Sequence, residues 1–276
     1  MSNETVILKD LSIGYTTKGN EKVVASGLNA AINSGELTCL LGQNGIGKST
    51  LLRTLAAFQP ALGGNILLNT EGNHTSHLSS LPSHLLSRLI GVVLTEKLAI
   101  KNMTAEELIA MGRAPYTGFW GRLTDEDHQV VRESIRLVGI ESLAGRMIQT
   151  LSDGERQKVM IAKALAQQTP IIYLDEPTAF LDYPSKVDML LLLRRISREA
   201  RKTIFLSTHD LELALQVADV VWLMERGGHL SIGSPRQLAD EGVLSRFVER
   251  SQGVTFNAQL LSVSVQAGRA TSDALE

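Results

Sequence analysis

Short apolar runs alternate along the chain with longer segments of helical period. The runs at 37–41, 66–68, 90–94, 171–174, 204–207 and 220–224 predict strands. They are β-branched-rich or apolar on successive positions, as expected where both faces of a strand are covered. Between them, helices are predicted over 48–58, 105–111, 125–138, 153–168 and 185–200. Three of these open with Ser or Thr followed three residues later by an acid: Thr104 with Glu107, Thr124 with Asp127, and Ser152 with Glu155. Such a pair can satisfy two of the free N–H groups at a helix start reciprocally. The alternation predicts an α/β fold with a largely parallel sheet carrying helices on each side.

Two stretches depart from this pattern. LKDLSIGY and VVASGLNAAI, in the first 35 residues, read as short alternating strands and predict an antiparallel β subdomain ahead of the core. Residues 70–145 hold most of the helices before the second half of the sheet, which predicts an inserted helical subdomain, at about 75–165 of a domain spanning 1–245. The remainder, 246–276, is expected to be an extension. From about Val243 the chain reads as a helix, then VTFNAQLLSVSV as a strand or hairpin, and GRATSDALE as a frayed tail.

Composition narrows the classes. The 276 residues carry 27 Lys+Arg against 29 Asp+Glu, a net charge of −2, which gives no basic surface for nucleic acid. With 43% hydrophobic and 20% charged residues the chain can bury a sizeable core. Its longest purely apolar runs, such as 189–193, are far short of the roughly 18 residues needed to cross a bilayer. MSNETVILKD lacks the basic-then-apolar order of a secretory signal. Cys39 is the single cysteine, lies in the apolar run LTCLLG, and is read as a small core residue in a reducing compartment. A soluble cytoplasmic protein is expected. His74, His77 and His84 have spacings that match no common metal site.

GQNGIGKST, residues 42–50, follows the strand LTCLL and opens the helix KSTLLRTLAAF. This is G-x-x-x-x-G-K-[ST] in the strand–loop–helix setting that the motif requires. Gly42, Gly45 and Gly47 let the backbone wrap an anion, with Gln43, Asn44 and Ile46 adding N–H groups beside them. Lys48 supplies a point charge for the β- and γ-phosphates, the Ser49 hydroxyl can ligate Mg²⁺, and Thr50 stands in the first turn of the helix whose positive end faces the phosphates. A nucleoside triphosphate is the expected ligand. In IIYLDEP, Asp175 ends an apolar strand, at the edge where α/β sheets hold ligands, and is expected to hold Mg²⁺ directly or through water. Glu176 follows at once and can orient and deprotonate an attacking water.

The order GQNGIGKST, LSDGERQKV, IIYLDEPTAFLD and STHD resembles the nucleotide-binding subunit of an ATP-binding cassette (ABC) transporter over about residues 5–240. LSDGE, 151–155, is similar to that family's signature loop, with Asp153 and Glu155 in place of the commonest glycine and glutamine. The resemblance implies ATP and Mg²⁺ as cofactors and a homodimer with ATP sandwiched between subunits. Ser152 and Gly154 of one subunit would then close over ATP held by the other subunit's Lys48. It implies that Asp182 lies in the dimer-contacting loop, that His209 contacts the γ-phosphate, and that Tyr15 stacks on adenine. Where the family usually has a metal-contacting glutamine, this chain has Thr95. That residue keeps a hydroxyl able to ligate the metal but has a shorter reach, with Glu96 as the other candidate.

NMTAEELIAMGRAPYTGFWGRLTDED, 102–127, is similar to the helical subdomain of ATPases that drive uptake of ferric siderophores, haem and vitamin B12. That implies ATP hydrolysis coupled to import through an integral membrane permease, indirectly with a substrate-binding protein. The chain would then be peripheral at the cytoplasmic face of the inner membrane. Pro115, Tyr116, Phe119 and Trp120 form an aromatic, charge-poor loop suited to a partner's helix, or else to packing the subdomain itself. Two other classes compete: a soluble ABC ATPase with cytoplasmic partners, such as that of iron–sulfur cluster assembly, and a nucleic-acid-handling ABC ATPase. Long coiled coils or a second cassette would mark the latter, and the chain has neither.

Overall fold

The computed structural model describes residues 4–17, 20–70, 74–95, 102–118, 120–225, 227–249 and 253–265. In chain order the elements are β1 (Glu4–Thr17), β2 (Asn20–Asn33), β3 (Leu37–Leu41), α1 (Lys48–Leu55), β4 (Gly63–Thr70), β5 (His74–His77), α2 (Ser83–Leu89) and β6 (Ile90–Val93). They continue with α3 (Ala105–Ala110), α4 (Asp125–Val138), α5 (Asp153–Ala166), β7 (Ile171–Leu174), α6 (Tyr183–Glu199), β8 (Thr203–Thr208), α7 (Leu211–Val217) and β9 (Val220–Met224). The chain closes with β10 (Leu230–Gly233), α8 (Pro235–Asp240), α9 (Val243–Val248), β11 (Val254–Asn257) and β12 (Ser262–Val265). The last two pair as a hairpin, and GRATSDALE falls outside the described residues.

The central sheet has the order β10-β9-β3-β8-β7-β6. Its strands are parallel except for β10, which pairs antiparallel with β9. A second, antiparallel sheet has the order β2-β1-β4-β5. The 66–68 run therefore belongs to the antiparallel sheet, with Val6 opposite Leu68 and Leu8 opposite Ile66. Apolar content alone could not decide this, because a strand sandwiched between two layers reads the same in either sheet.

The two faces of the parallel sheet are unlike, which corrects the expectation of helices on each side. Side chains alternate along each strand. Cys39, Leu41, Ile172, Leu174, Ile204, Leu206, Val221 and Leu223 face one cluster with α3–α7. Leu40, Tyr173, Phe205, Trp222 and Met224 face the other, which α1 and the antiparallel sheet cover. On that second face Phe205 stands edge-on to Trp222 (4.9 Å, 70°) and to Tyr173 (6.1 Å, 84°), a favoured aromatic geometry. Cys39 is fully buried, and burial with Asp219 nearby pushes its thiol up to about 12, so it is inert core.

All three capping boxes form, each with the cap oxygen accepting the third N–H and the acid reaching back. The helices that pack as a group, α3–α5, lie within 105–166. Residues 74–93 instead carry β5 and β6, one strand for each sheet, with α2 between them. Three arginines of α6 are anchored by hydrogen bonds. Arg194 and Arg198 both reach Asp219, which also accepts from the Leu37 N–H, and Arg195 donates to the Leu137 carbonyl.

Candidate functional site

The phosphate-loop sequence ends β3 and opens α1 as expected, at the carboxyl edge of the parallel sheet. Gly47 caps α1 at φ 116, and a Cβ there would lie 2.4 Å from Val24 Cγ1, so both conformation and space demand glycine. The loop is closed on itself: Lys48 Nζ donates to the Gly42 carbonyl at 2.8 Å and to that of Gln43 at 3.3 Å. Burial pulls the Lys48 ammonium below its ordinary value, while Glu176 and Asp175 pull the other way. A cavity of about 570 Å³ opens over this loop, walled by residues 43–50, Tyr15, Glu176, the 22–24 stretch of β2 and Gly227. The Tyr15 ring is half exposed, and its hydroxyl is hydrogen-bonded to that of Thr50.

The carboxylates sit where the loop can use them. Ser49 Oγ donates to Asp175 Oδ1 at 3.2 Å, and Ser207 Oγ donates to the same oxygen at 2.6 Å. Ser207 also accepts the Glu176 N–H at 2.9 Å. Glu176 is held at φ 44, in the left-handed region that non-glycine residues rarely enter, a strain typical of functional positions. His209 Nδ1 lies 3.5 Å from Glu176 Oε2. Thr95 Oγ1 donates to the Asp175 carbonyl at 2.5 Å, so its proton is committed while its lone pairs remain. Glu96 lies outside the described residues. Ser49 and Asp175 together present hard oxygens, one of them charged, at adjoining positions; this donor set suits Mg²⁺.

Ser152, Gly154 and Asp182 do not line this cavity. Ser152 caps α5, bonded both ways to Glu155, whose carboxyl is held below the ordinary range by the Ser152 N–H and hydroxyl. Asp182 caps α6 through the Ser185 N–H at 2.9 Å, and its carboxyl is lowered by the Ser185 hydroxyl and N–H. The nearest atoms to an added Cβ at Gly154 would be Leu181 Cδ2 and Ser185 Oγ, so the two caps are neighbours. One chain thus presents a cradle and, apart from it, a capped pair of helix starts.

Sequence reasoning missed Ser207, which ties the Asp175 carboxylate to the Glu176 backbone, and Lys22, Val24 and Gly227 in the wall. Ser207 had a signal, since it stands in the STHD run two residues before His209. The wall residues had none, because β2 and the β9–β10 turn reach the loop only through folding.

The aromatic loop divides into parts. Arg113 is buried and bonded to Asp127 Oδ1, the Ala166 carbonyl and Gln168 Oε1, each at 2.8 Å. The Tyr116 ring lies between Arg113 (4.0 Å) and Arg88 (5.0 Å), and its hydroxyl donates to the Gln167 carbonyl. Arg88 also holds the Pro115 carbonyl. Tyr116 and Pro115 therefore join the helical group to the core. Trp120 is 83% exposed, and Phe119 lies outside the described residues. A separate groove of about 390 Å³ runs beside exposed Phe58, between α1 and α2, lined by Ala57, Leu86, Ile90, Val92 and Gln167.

Known proteins share this arrangement. The ABC transporter family matches residues 25–179. An ABC transporter ATP-binding protein of Methanocaldococcus jannaschii is 40% identical over 241 residues, 87% of this chain and 80% of that one. The ferric enterobactin transport ATP-binding protein FepC of Escherichia coli is 34% identical over 246 residues, 89% and 86% of the two chains. A metal-chelate type ABC transporter solved in an inward-facing conformation matches with a TM-score of 0.73 at 25% identity, covering 86% of this chain and 85% of that one. With the cradle, the paired carboxylates and these likenesses together, the chain belongs to the ABC transporter family as an ATP-binding, ATP-hydrolysing subunit.

Proposed function

We propose that this chain energises uptake of an iron chelate, a ferric siderophore or haem, through a membrane permease. The observation that carries the chemistry is the assembly of Lys48, Ser49, Asp175, Glu176 and His209 at one edge of the sheet. The cargo class is supported by the ferric enterobactin and metal-chelate relatives.

The triphosphate lies against the N–H groups of 42–50, with Lys48 withdrawing from its carbonyl partners to meet the β- and γ-phosphates. Tyr15 offers its ring to the base. Ser49 and Asp175 would hold Mg²⁺, with Thr95 as a further oxygen. When bound, the ion neutralises charge on the phosphate oxygens. Glu176 orients and deprotonates the attacking water, and His209 stands beside it on the side of the γ-phosphate. Ser152, Gly154 and Asp182 lie away from the cradle, which fits the arrangement that the family resemblance implies, a homodimer in which they would serve ATP held by a second subunit. The charge gathered on the γ-oxygens is then met from both subunits.

No described helix is long and apolar enough to cross a membrane. As an importer's ATPase the chain would work from the cytoplasmic face, with the groove beside Phe58 and the exposed Trp120 facing a permease helix. A substrate-binding protein would deliver the cargo on the far side. Tagging the chain, solubilising membranes in mild detergent and identifying what co-purifies tests this reading. A polytopic permease is expected; a soluble partner alone would move the chain to a cytoplasmic ABC class.

A further inference from the structure

We propose that Lys186, acting through Asp210, is a positioning residue for ATP hydrolysis: it clips the loop carrying His209 in place beside Glu176. The inference rests on the reading of Glu176 and His209 given above. Three segments meet at one carboxylate. Lys186 Nζ lies 3.1 Å from Asp210 Oδ1 and 3.0 Å from Oδ2, and both side chains are about four-fifths covered. The Thr178 hydroxyl donates to Oδ2 at 3.4 Å, from a buried position in the turn between Glu176 and Asp182. Lys186 stands in the first turn of α6, its N–H bonded to the Asp182 carbonyl. Asp210 follows His209 directly, and its N–H donates to the Thr208 hydroxyl.

His209 needs such a fastening. Its side chain is 47% exposed, and its contact with Glu176 spans 3.5 Å, too long to fix a ring. What holds the imidazole is the backbone of 208–210, which the β8 ladder fixes at Thr208 and the Asp210 carboxylate fastens on the other side of His209. A largely covered ion pair is a firmer tether than a surface one, and losing one partner leaves the other charge uncompensated. Without Lys186 the Asp210 carboxylate turns to water, and His209 loses its register with Glu176. The same clip joins the α6 start, capped by Asp182, to the hydrolytic residues, so a second subunit's contact at Asp182 can be felt at His209.

The test is ATP turnover by the purified full chain with Mg²⁺, alongside binding of a fluorescent ATP analogue, for Lys186→Met, Lys186→Arg and Glu176→Gln. None of Thr178, Lys186 and Asp210 lines the cavity over the 42–50 loop, so the effect is expected on kcat. Misplacing a catalytic group by about 1 Å costs up to roughly 10²-fold, so Lys186→Met is expected to lose about tenfold or more in kcat with KM within about twofold. Lys186→Arg keeps the charge and is expected to restore most of the rate. Full kcat in Lys186→Met overturns the clip. So does a joint loss of turnover and analogue binding in both Lys186 variants, which would make the pair merely structural. If Glu176→Gln keeps full turnover, the reading of the site itself fails and the clip falls with it. If Glu176→Gln is inactive and Lys186→Met fully active, only the clip is wrong.

Discussion

At the scale of single residues, the site is a set of groups whose partners define what each can still do. Glu176 has its backbone pinned by Ser207 at a left-handed φ, and its carboxylate reaches toward His209 rather than into the core. Glu176→Gln should cut turnover by about 10²-fold or more while ATP binding survives, because only the proton acceptor is lost. Turnover measured beside equilibrium nucleotide binding separates the two. Lys48→Ala should lose the binding itself, because the cradle then has no charge to set against the polyphosphate. Thr95 donates to the Asp175 carbonyl, whereas Val at that position could not. We expect Thr95→Val to lower kcat and Thr95→Gln to change the coupling of hydrolysis to transport. If both rates are unchanged in Thr95→Gln, this loop has no special part in coupling.

At the scale of elements, helix starts carry much of the design. The Ser152 cap on α5 is bonded in both directions to Glu155, and its loss should cost about 1 kcal/mol of stability. Ser152→Ala should also slow turnover, since the same hydroxyl is proposed to serve a second subunit's ATP; thermal unfolding and ATPase assays read the two effects apart. The join between the helical group and the core rests on Arg113. Arg113→Ala would strand a buried Asp127 and should cost about 3 kcal/mol. Asp127 itself is held down to about 2 by the Thr124 N–H, the Arg113 guanidinium and the Thr124 hydroxyl. A depressed carboxylate stabilises the fold above its unfolded value and loses that contribution as pH falls through its folded one. Wild type should therefore lose stability relative to Asp127→Asn between about pH 4 and pH 2, followed by urea unfolding. Three of the four capping boxes among the described residues were legible from spacing, because a cap is local chemistry within four residues; the fourth, Ser234 with Gln237, was not read. Tyr116 was not, because its partners Arg88 and Gln167 come from α2 and the end of α5, brought together only by packing.

At the scale of the whole molecule, the cradle at one place and the capped pair at another fit the proposed site completed by a second copy. Glu176→Gln with ATP should run as a dimer on a sizing column and wild type after hydrolysis as a smaller species; a monomeric, fully active variant would refute the sandwich. The sequence by itself determined the strand–loop–helix cradle, the carboxylates after β7 and the helix caps. Each is set by residues adjacent in the chain, where backbone conformation and hydrogen bonding are short-range. Only the tertiary structure decided that the 66–68 strand joins the antiparallel sheet and that the parallel sheet has one helical and one mixed face. It alone set Ser207 between the Asp175 carboxylate and the Glu176 N–H, and Asp210 on Lys186 and Thr178. Those facts depend on which apolar face meets which, and burial is blind to sequence distance: the same run of Ile and Leu satisfies either layer until the rest of the chain has taken its place.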